Sequence, residues 1–420
     1  MLAIAGGVFD TKAFSTLGWP SYQTVKMGNG EVGNTVLAVS GADAVFKADK
    51  FLMGGFDGAQ TNIIALGNGG IFESGRFYTG TNSDNTEKYL KPFNAVLSDG
   101  GVIRPSGSWS WNDISAGNYL RNPSRCVLFE GGLTVDTSLL SAQSTISLDF
   151  EPPSGKGFCS IALPAEAMSA AYSCAARIVI SDSTGWGAVA YADFDKATGH
   201  LTEVKIVSPG CDYSDAPTVA VESPDGKTFY SCAFTLTDNV SGGFTKRGAQ
   251  ILEVYGANTV KGDTVVESGV LKVMTEQAAP AESVVRVRKN AELQLVWSVK
   301  SLRAAGGAGT ISRINNGGGT VTLTEGIVAY ADDMLSGEAV TFTDGVNFAD
   351  GAAVGVADAE KLQGRQGRYL VARTLNGTIG GALPVPSPSL PDSANFKVVL
   401  SADAKSLYLS NLTGMSVIVR

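Results

Sequence analysis

The sequence predicts an all-β fold, a β-solenoid of short stacked strands with a small β-rich inserted domain. Three observations carry that expectation: short β-branched runs recur between glycine and Asn/Asp corners, helical periodicity is nearly absent, and the composition is rich in glycine and poor in charge. Fifty-one of the 420 residues are glycine and only 17% are charged, against usual values of about 7% and about 25%. The chain is far longer than one ordinary core needs, so it holds either several domains or one elongated repeat body. Runs too short to form a stable sheet alone gain stability by stacking on the next turn of a coil, which favours the repeat body.

The pattern is clearest in residues 242–273, GGFTKRGAQILEVYGANTVKGDTVVESGVLKV. Strands are expected over Ile251 to Val254, Thr264 to Glu267 and Val270 to Val273, with Gly248, Gly256, Gly262 and Gly269 at bends where glycine reaches positive φ without a Cβ clash. In order, Gly242, Gly243, Phe244, Thr245, Lys246 and Gly248, then Gly256, Ala257, Asn258 and Thr259, then Gly262, Thr264 and Val266, then Gly269 and Leu271 resemble the autotransporter-associated β-strand repeat, also called the passenger-associated transport repeat. Gln250, Ile251, Glu253 and Val260 depart from that pattern without breaking the alternation of strand and corner. The resemblance implies a right-handed parallel β-helix in a large, exported, surface-displayed protein. It implies no catalytic activity.

Four regions follow from the pass along the chain. Residues 1–153 are expected to form an N-terminal solenoid region, in which Asn34 to about Gly80 and Cys126 to Phe150 alternate short runs with corners such as Gly67-Asn68-Gly69-Gly70. Trp109 and Trp111 in SGSWSWND either cap a core or offer an aromatic pair for stacking on sugar rings, and packing is favoured. The pair Pro152-Pro153 cannot donate to a ladder and marks a boundary.

Residues 154–237 are expected to form the inserted domain. There Gly185, Gly187, Ala188, Gly199, Leu201, Val204, Ile206, Gly210, Tyr213, Pro217 and Val219 resemble a short module of large exported bacterial and phage-associated proteins, read as a hairpin plus a strand with Tyr213 packed over the turn. Pro164 to Ala176 is either a helix or an alanine-rich loop. The solenoid resumes over residues 238–366, with rungs of roughly 20 to 25 residues. Residues 367–420 are the terminal unit, in which Pro384 to Pro391 forms an exposed loop and the last strands cap the open sheet edge.

A net charge of −8 and no basic stripe argue against a nucleic-acid partner. No apolar run approaches the ~20 residues that span a bilayer, and MLAIAGGVFDTKAF lacks the basic n-region of a signal peptide. Neither a cofactor nor a metal site is expected. Four of the five cysteines, Cys159, Cys174, Cys211 and Cys232, fall in the insert, so either disulfides staple it or the thiols are buried and free; Cys126 lies before it. The single histidine, His200 in TGHLT, is expected to be a solvated turn residue, leaving little material for a nucleophile and base.

A polysaccharide hydrolase needs only two carboxylates, and Asp149 with Glu151, Asp193 with Asp195 and Asp332 with Asp333 are the obvious pairs. The first two, at i and i+2, would share a strand face, and the third would point to opposite faces. The favoured expectation is a non-catalytic, extracellular β-helical passenger segment of an autotransporter-like surface protein, a stalk or adhesin scaffold with a projecting insert and with host-surface or glycan partners. The alternatives are a carbohydrate-active β-helix enzyme using paired carboxylates, and a phage fibre or tailspike component.

Overall fold

Side chains alternate across a strand, so a coil of short strands can send one row inward and one outward, and identical coils stack their inward rows. That is the architecture of the computed structural model, which describes residues 2–4, 8–10, 24–27, 34–53, 61–79, 93–106, 118–121, 125–296, 301–307, 313–391 and 393–411. The fold is all-β, a parallel β-solenoid carrying a small β-rich insert. The chain divides into two units, Met1–Trp111 with Tyr119–Val135 and Phe150–Gly243, and Asn112–Asn118 with Asp136–Asp149 and Phe244–Arg420.

In the first unit each coil gives one strand to each of two parallel ladders. Leu2–Ile4, Asn34–Ser40, Thr61–Gly67, Phe93–Asp99, Arg125–Leu128 and Phe150–Glu151 form one; Val8–Asp10, Val45–Met53, Ile71–Thr79, Gly101–Pro105 and Leu133–Asp136 belong to the other. Residues Leu37, Ile64, Val96, Cys126 and Phe150 lie over one another in register and are buried. In the second ladder Phe9, Phe46 and Phe72 stack nearly parallel, with centroids 5.8 and 5.5 Å apart. Phe51 meets that column edge-on, and Phe77 lies tilted against Phe72 and edge-on to Phe51. A buried polar row runs alongside: Thr35 donates to Asn62, and Asn62 Nδ2 donates to Asn94 Oδ1 at 2.9 Å. Stacking like on like lets each buried amide find a partner in the next coil, which removes the cost of burying it.

The insert leaves the solenoid after Phe150–Glu151. Lys156–Ala162 pairs antiparallel with Ala233–Asp238, and a five-stranded antiparallel sheet follows in the order Leu201–Ser208, Val189–Phe194, Ala176–Ser181, Thr218–Glu222, Phe229–Ser231. It has its own core, built on Phe158, Tyr172, Ile178, Leu201 and Val221. Contrary to expectation it does not project. Val189, Tyr191 and Val207 lie against Ala38, Ala65, Leu97 and Val127, on the outward face of the first ladder. The physical reason is in those strands: LAV, IIAL, AVL and CVL are apolar at successive positions, so both faces need cover. The helix-or-loop alternative at Pro164 to Ala176 resolves to one short helix, Ala165–Ser169, with Pro164 as its N-cap and extended backbone from Ala170.

The second unit repeats the scheme. Phe244–Arg247, Thr264–Val266, Val284–Val287, Ser301–Gly307, Val321–Ala329, Val346–Phe348 and Ile379–Gly381 follow one another in one ladder. Ser144–Ser147, Ile251–Val254, Gly269–Val273, Ala291–Leu295, Arg313–Asn315, Val340–Phe342 and Arg368–Thr374 form the other. Successive partners Leu252, Leu271, Leu293 and Ile314 are 19, 22 and 21 residues apart, near the expected rung length. Phe342 and Thr374 follow after 28 and 32 residues. The longer coils carry excursions such as the short helix Ala331–Leu335, so the rungs are fewer than a uniform spacing implies.

Two strands cap the second ladder. Ser406–Ser410 pairs antiparallel with Arg368–Thr374, and Lys397–Leu400 adds beyond it. The proline-rich stretch is not simply a loop, because Val385–Pro386 joins the ladder beside Ala353–Val356. Val385 N–H and Ser387 N–H donate inward to Ala352 and Val354. Alternation then puts residues 384, 386 and 388 at the positions whose amides would face the opposite edge, and all three are proline. That edge offers no such donor to a further strand.

Residues 242–273 show what the repeat pattern does. Gly248 and Gly269 take positive φ, +91° and +66°, as expected; Gly256 and Gly262 do not. Gly256 is required for a different reason, close approach to the backbone of Leu148. Phe244, Lys246, Thr264, Val266, Leu271 and Val273 point inward and are buried. Lys246 is fully buried, and its Nζ donates to Gly248 O at 2.5 Å and Ser268 O at 2.7 Å, fastening two corners whose carbonyls would otherwise lack strong donors. A Cβ on Gly269 would sit 2.5 Å from that Nζ, which ties the glycine to the lysine.

Burial lowers the Lys246 pKa to about 8, with Asp136 acting weakly in the opposite sense. The unfolded chain therefore holds this proton more tightly, and stability rises with pH from about 8 to 10.5, by at most about 3 kcal/mol. In urea titrations the stability difference between the parent and Lys246→Met is expected to grow in favour of the parent across that window. A difference that stays flat from pH 7 to pH 10.5 would show that the ammonium bears no burial cost.

Candidate functional site

The insert's loop 180–188 and the outward face of the first ladder border an open cleft of about 580 Å³, lined among others by Thr61, Ile63, Arg125, Trp186 and Tyr213. Its size falls within the range of about 300–1,000 Å³ common for small-molecule sites. The residues of the GxGA module build it. Asp182 is the hub: its Oδ2 accepts from Thr184 Oγ1, Gly185 N–H and Ser214 N–H at 3.0, 2.8 and 2.9 Å, and its Oδ1 accepts from Ser214 Oγ at 2.6 Å. Those bonds, Ser214's foremost, hold the carboxyl well below the usual carboxylate range.

Tyr213 packs over the turn as expected. Its hydroxyl accepts from Ala188 N–H at 3.2 Å, and burial pushes its pKa up to about 12. Gly185 lies so close to this ring that a Cβ would stand 2.3 Å from Cδ1. Trp186, between the two glycines, exchanges two backbone hydrogen bonds with Cys211, at 3.0 and 2.9 Å. The loop that presents the indole is thereby fixed before any ligand arrives.

Arg125 supplies the opposite wall. Its guanidinium lies over the Trp186 ring, 4.7 Å from the centroid, and makes a bidentate contact with Glu151 through Nε at 2.6 Å and Nη2 at 3.1 Å. Cation, indole and carboxylate thus form one ordered stack, in which the Glu151 contact holds Arg125 more firmly protonated than usual.

Five of the six carboxylates paired in the sequence have structural partners; the sixth, Asp333, has a buried Oδ2 without a hydrogen-bond partner. Asp149 accepts from Ala257 N–H at 2.7 Å, and Glu151 holds Arg125. Asp195 closes its turn by accepting from Ala197 N–H and Thr198 Oγ1, which lowers its pKa, and Asp193 accepts from Phe194 N–H. Asp332 and Asp333 lie in the helix Ala331–Leu335 and not on a strand. Asp332 pairs with Lys361; burial, with Glu338, Asp358 and Asp332 nearby, raises Asp333.

His200 is exposed in its turn, Nδ1 3.0 Å from Ala170 O. All five thiols are free; Cys126, Cys211 and Cys232 are buried, while Cys159 and Cys174 are exposed. Among the described residues no group of three or more His, Cys, Asp or Glu side chains is placed to hold a metal ion. No helix among them is long and apolar enough to cross a membrane. Trp109 and Trp111 lie outside the described residues, as do residues 308–312 and the end of the chain from 412.

No protein-family model matches the chain, and no curated protein is similar to it.

Proposed function

We propose that the chain is a non-catalytic, extracellular β-solenoid segment of an autotransporter-like surface protein, serving as a stalk or adhesin scaffold. The observation that carries this reading is the use to which the repeat residues are put. Phe244, Lys246, Thr264, Val266 and Leu271 are spent on stacked inward rows, and Gly248, Gly256 and Gly269 on the corners between them. Of the carboxylates that a glycan-cleaving enzyme would need, Asp149, Glu151, Asp193, Asp195 and Asp332 are engaged in turns and ion pairs instead.

Antibody labelling of intact cells that produce the full-length protein tests the location. Labelling before lysis is expected, and labelling only after lysis would reject an extracellular scaffold. Incubation of the purified chain with a polysaccharide panel tests the chemistry. No release of reducing ends is expected; cleavage abolished by Asp193→Asn with Asp195→Asn, or by Asp149→Asn with Glu151→Gln, would assign the enzyme class.

A further inference from the structure

We propose that Asn376–Gly377 is a site of spontaneous modification in the folded chain, where the asparagine deamidates through a cyclic imide and leaves isoaspartate in the corner of the last coil. This rests on the chemistry of the corner and not on the scaffold reading. Four Asn-Gly pairs occur in the sequence, beginning at Asn29, Asn68, Asn316 and Asn376, and the first lies outside the described residues. The reaction needs a carboxamide free to turn toward the main chain and a glycine N–H free to attack it. Glycine suits the second requirement because no Cβ obstructs the approach.

Two of the three described pairs are held back on both counts. Asn316 is 4% exposed, its Nδ2 donates to Gly345 O at 2.6 Å, and Gly317 N–H donates to Asn315 Oδ1 at 3.1 Å. Asn68 Nδ2 donates to Ser40 Oγ at 3.1 Å, and Gly69 N–H donates to Gly100 O at 2.8 Å. Asn376 differs. It is exposed, and neither its carboxamide nor the Gly377 N–H makes a hydrogen bond to any described residue.

In the reaction the Gly377 nitrogen bonds to Asn376 Cγ, the Cγ–Nδ2 bond breaks, and Nδ2 leaves as ammonia with the proton that the glycine nitrogen gave up. Water then opens the ring at either carbonyl, giving aspartate or isoaspartate. Isoaspartate carries the main chain through its side chain, lengthening it between residues 376 and 377 by a methylene group. The corner has no slack for that. Leu375 N–H and Asn376 N–H donate to Phe342 O and Thr343 O at 3.0 and 2.9 Å, and Val346 N–H donates to Thr378 O at 3.1 Å. Even a Cβ on Gly377 would stand 2.3 Å from Gly345 N. Conversion therefore loosens the pairing of Ile379–Gly381 with Val346–Phe348.

The test incubates the purified chain at mildly alkaline pH, folded and, in parallel, unfolded in urea, and follows the three pairs by peptide mass mapping with isoaspartate-specific methyl labelling. In the folded chain Asn376 is expected to convert at least about tenfold faster than Asn68 and Asn316, whose hydrogen bonds must open first. In urea the three rates should come together. Asn376→Gln should stay unmodified over the same period. Hydrogen exchange at Ile379–Gly381 should accelerate in converted chains, and less in Asn376→Asp, which adds the charge without lengthening the chain. Conversion of Asn68 or Asn316 ahead of Asn376 in the folded chain, or conversion of Asn376 only in urea, would overturn the proposal. Unchanged exchange at Ile379–Gly381 in converted chains would overturn the loosening of the last coil.

Discussion

Phe72→Ala is expected to destabilise the first unit by about 3–5 kcal/mol, against about 1 kcal/mol for Phe72→Leu. Phe72 is 1% exposed and touches three other rings, stacked on Phe46 at 5.5 Å, edge-on to Phe51 at 5.0 Å and tilted against Phe77 at 5.3 Å. Its backbone is fixed in register between Phe46 and Ile103. The neighbouring rings therefore cannot slide together to fill the space, and the cavity term adds to the lost transfer energy and to about 0.5–1.5 kcal/mol for each ring pair. Because solenoid coils couple mainly to their neighbours, the loss should be local. Hydrogen exchange should accelerate in Val45–Met53, Ile71–Thr79 and Gly101–Pro105, and much less in Gly269–Val273. A cost below about 1 kcal/mol for the alanine variant would mean that the column is not what packs this ladder.

That column was legible in principle. VFKADKF and IFESGRF place phenylalanines five residues apart in two successive coils, and the two segments pair in register as Phe46 with Phe72 and Phe51 with Phe77. An odd interval conflicts with strict alternation, however. The pairing omits Asp49 and Gly75, and the inward parity changes there, so a period-two reading of these strands cannot see that both rings point inward. The strand-and-corner order of residues 242–273 was easier, because the inward residues Phe244 and Lys246, Thr264 and Val266, and Leu271 and Val273 keep that period.

The cleft was less accessible, since it arises where two distant segments meet. Arg125 and Glu151 flank the point at which the insert departs, and Trp186 is carried back to Arg125 by the insert's own sheet. Local pattern identifies Gly185, Gly187, Gly210 and Tyr213 as a module but not the surface against which the module lies. The available signal was the continuous apolar character of Asn34–Ser40, Thr61–Gly67 and Arg125–Leu128. A solenoid strand with one solvated face would show polar residues at alternate positions; these do not, and an outer cover follows from that alone.

Gly256→Ala separates two reasons for a glycine at a corner. A Cβ at Gly256 would lie 1.8 Å from Leu148 O, 2.1 Å from Leu148 C and 2.7 Å from Asp149 N. All three are backbone atoms, so no side chain can rotate away. The corner is also clamped, with Tyr255 N–H donating to Ile146 O at 3.0 Å and Ala257 N–H to Asp149 Oδ1 at 2.7 Å. Admitting the methyl group requires the chain at Leu148 and the corner to separate by more than an ångström, which breaks these bonds, and a loss of about 3 kcal/mol or more is expected. Gly256 does not have positive φ, so backbone strain contributes nothing. Gly318 is the complementary case, with φ +81° and nothing within 4 Å of a Cβ, and Gly318→Ala should cost about 1 kcal/mol from conformation alone. Gly319, with ordinary φ and its nearest contact at 3.5 Å, should tolerate alanine at no measurable cost. Denaturation midpoints of the three variants should fall in that order. Equal midpoints for the Gly256 and Gly319 variants would show that the coils are not held in close contact at this corner, and with it would go the physical reading of the repeat.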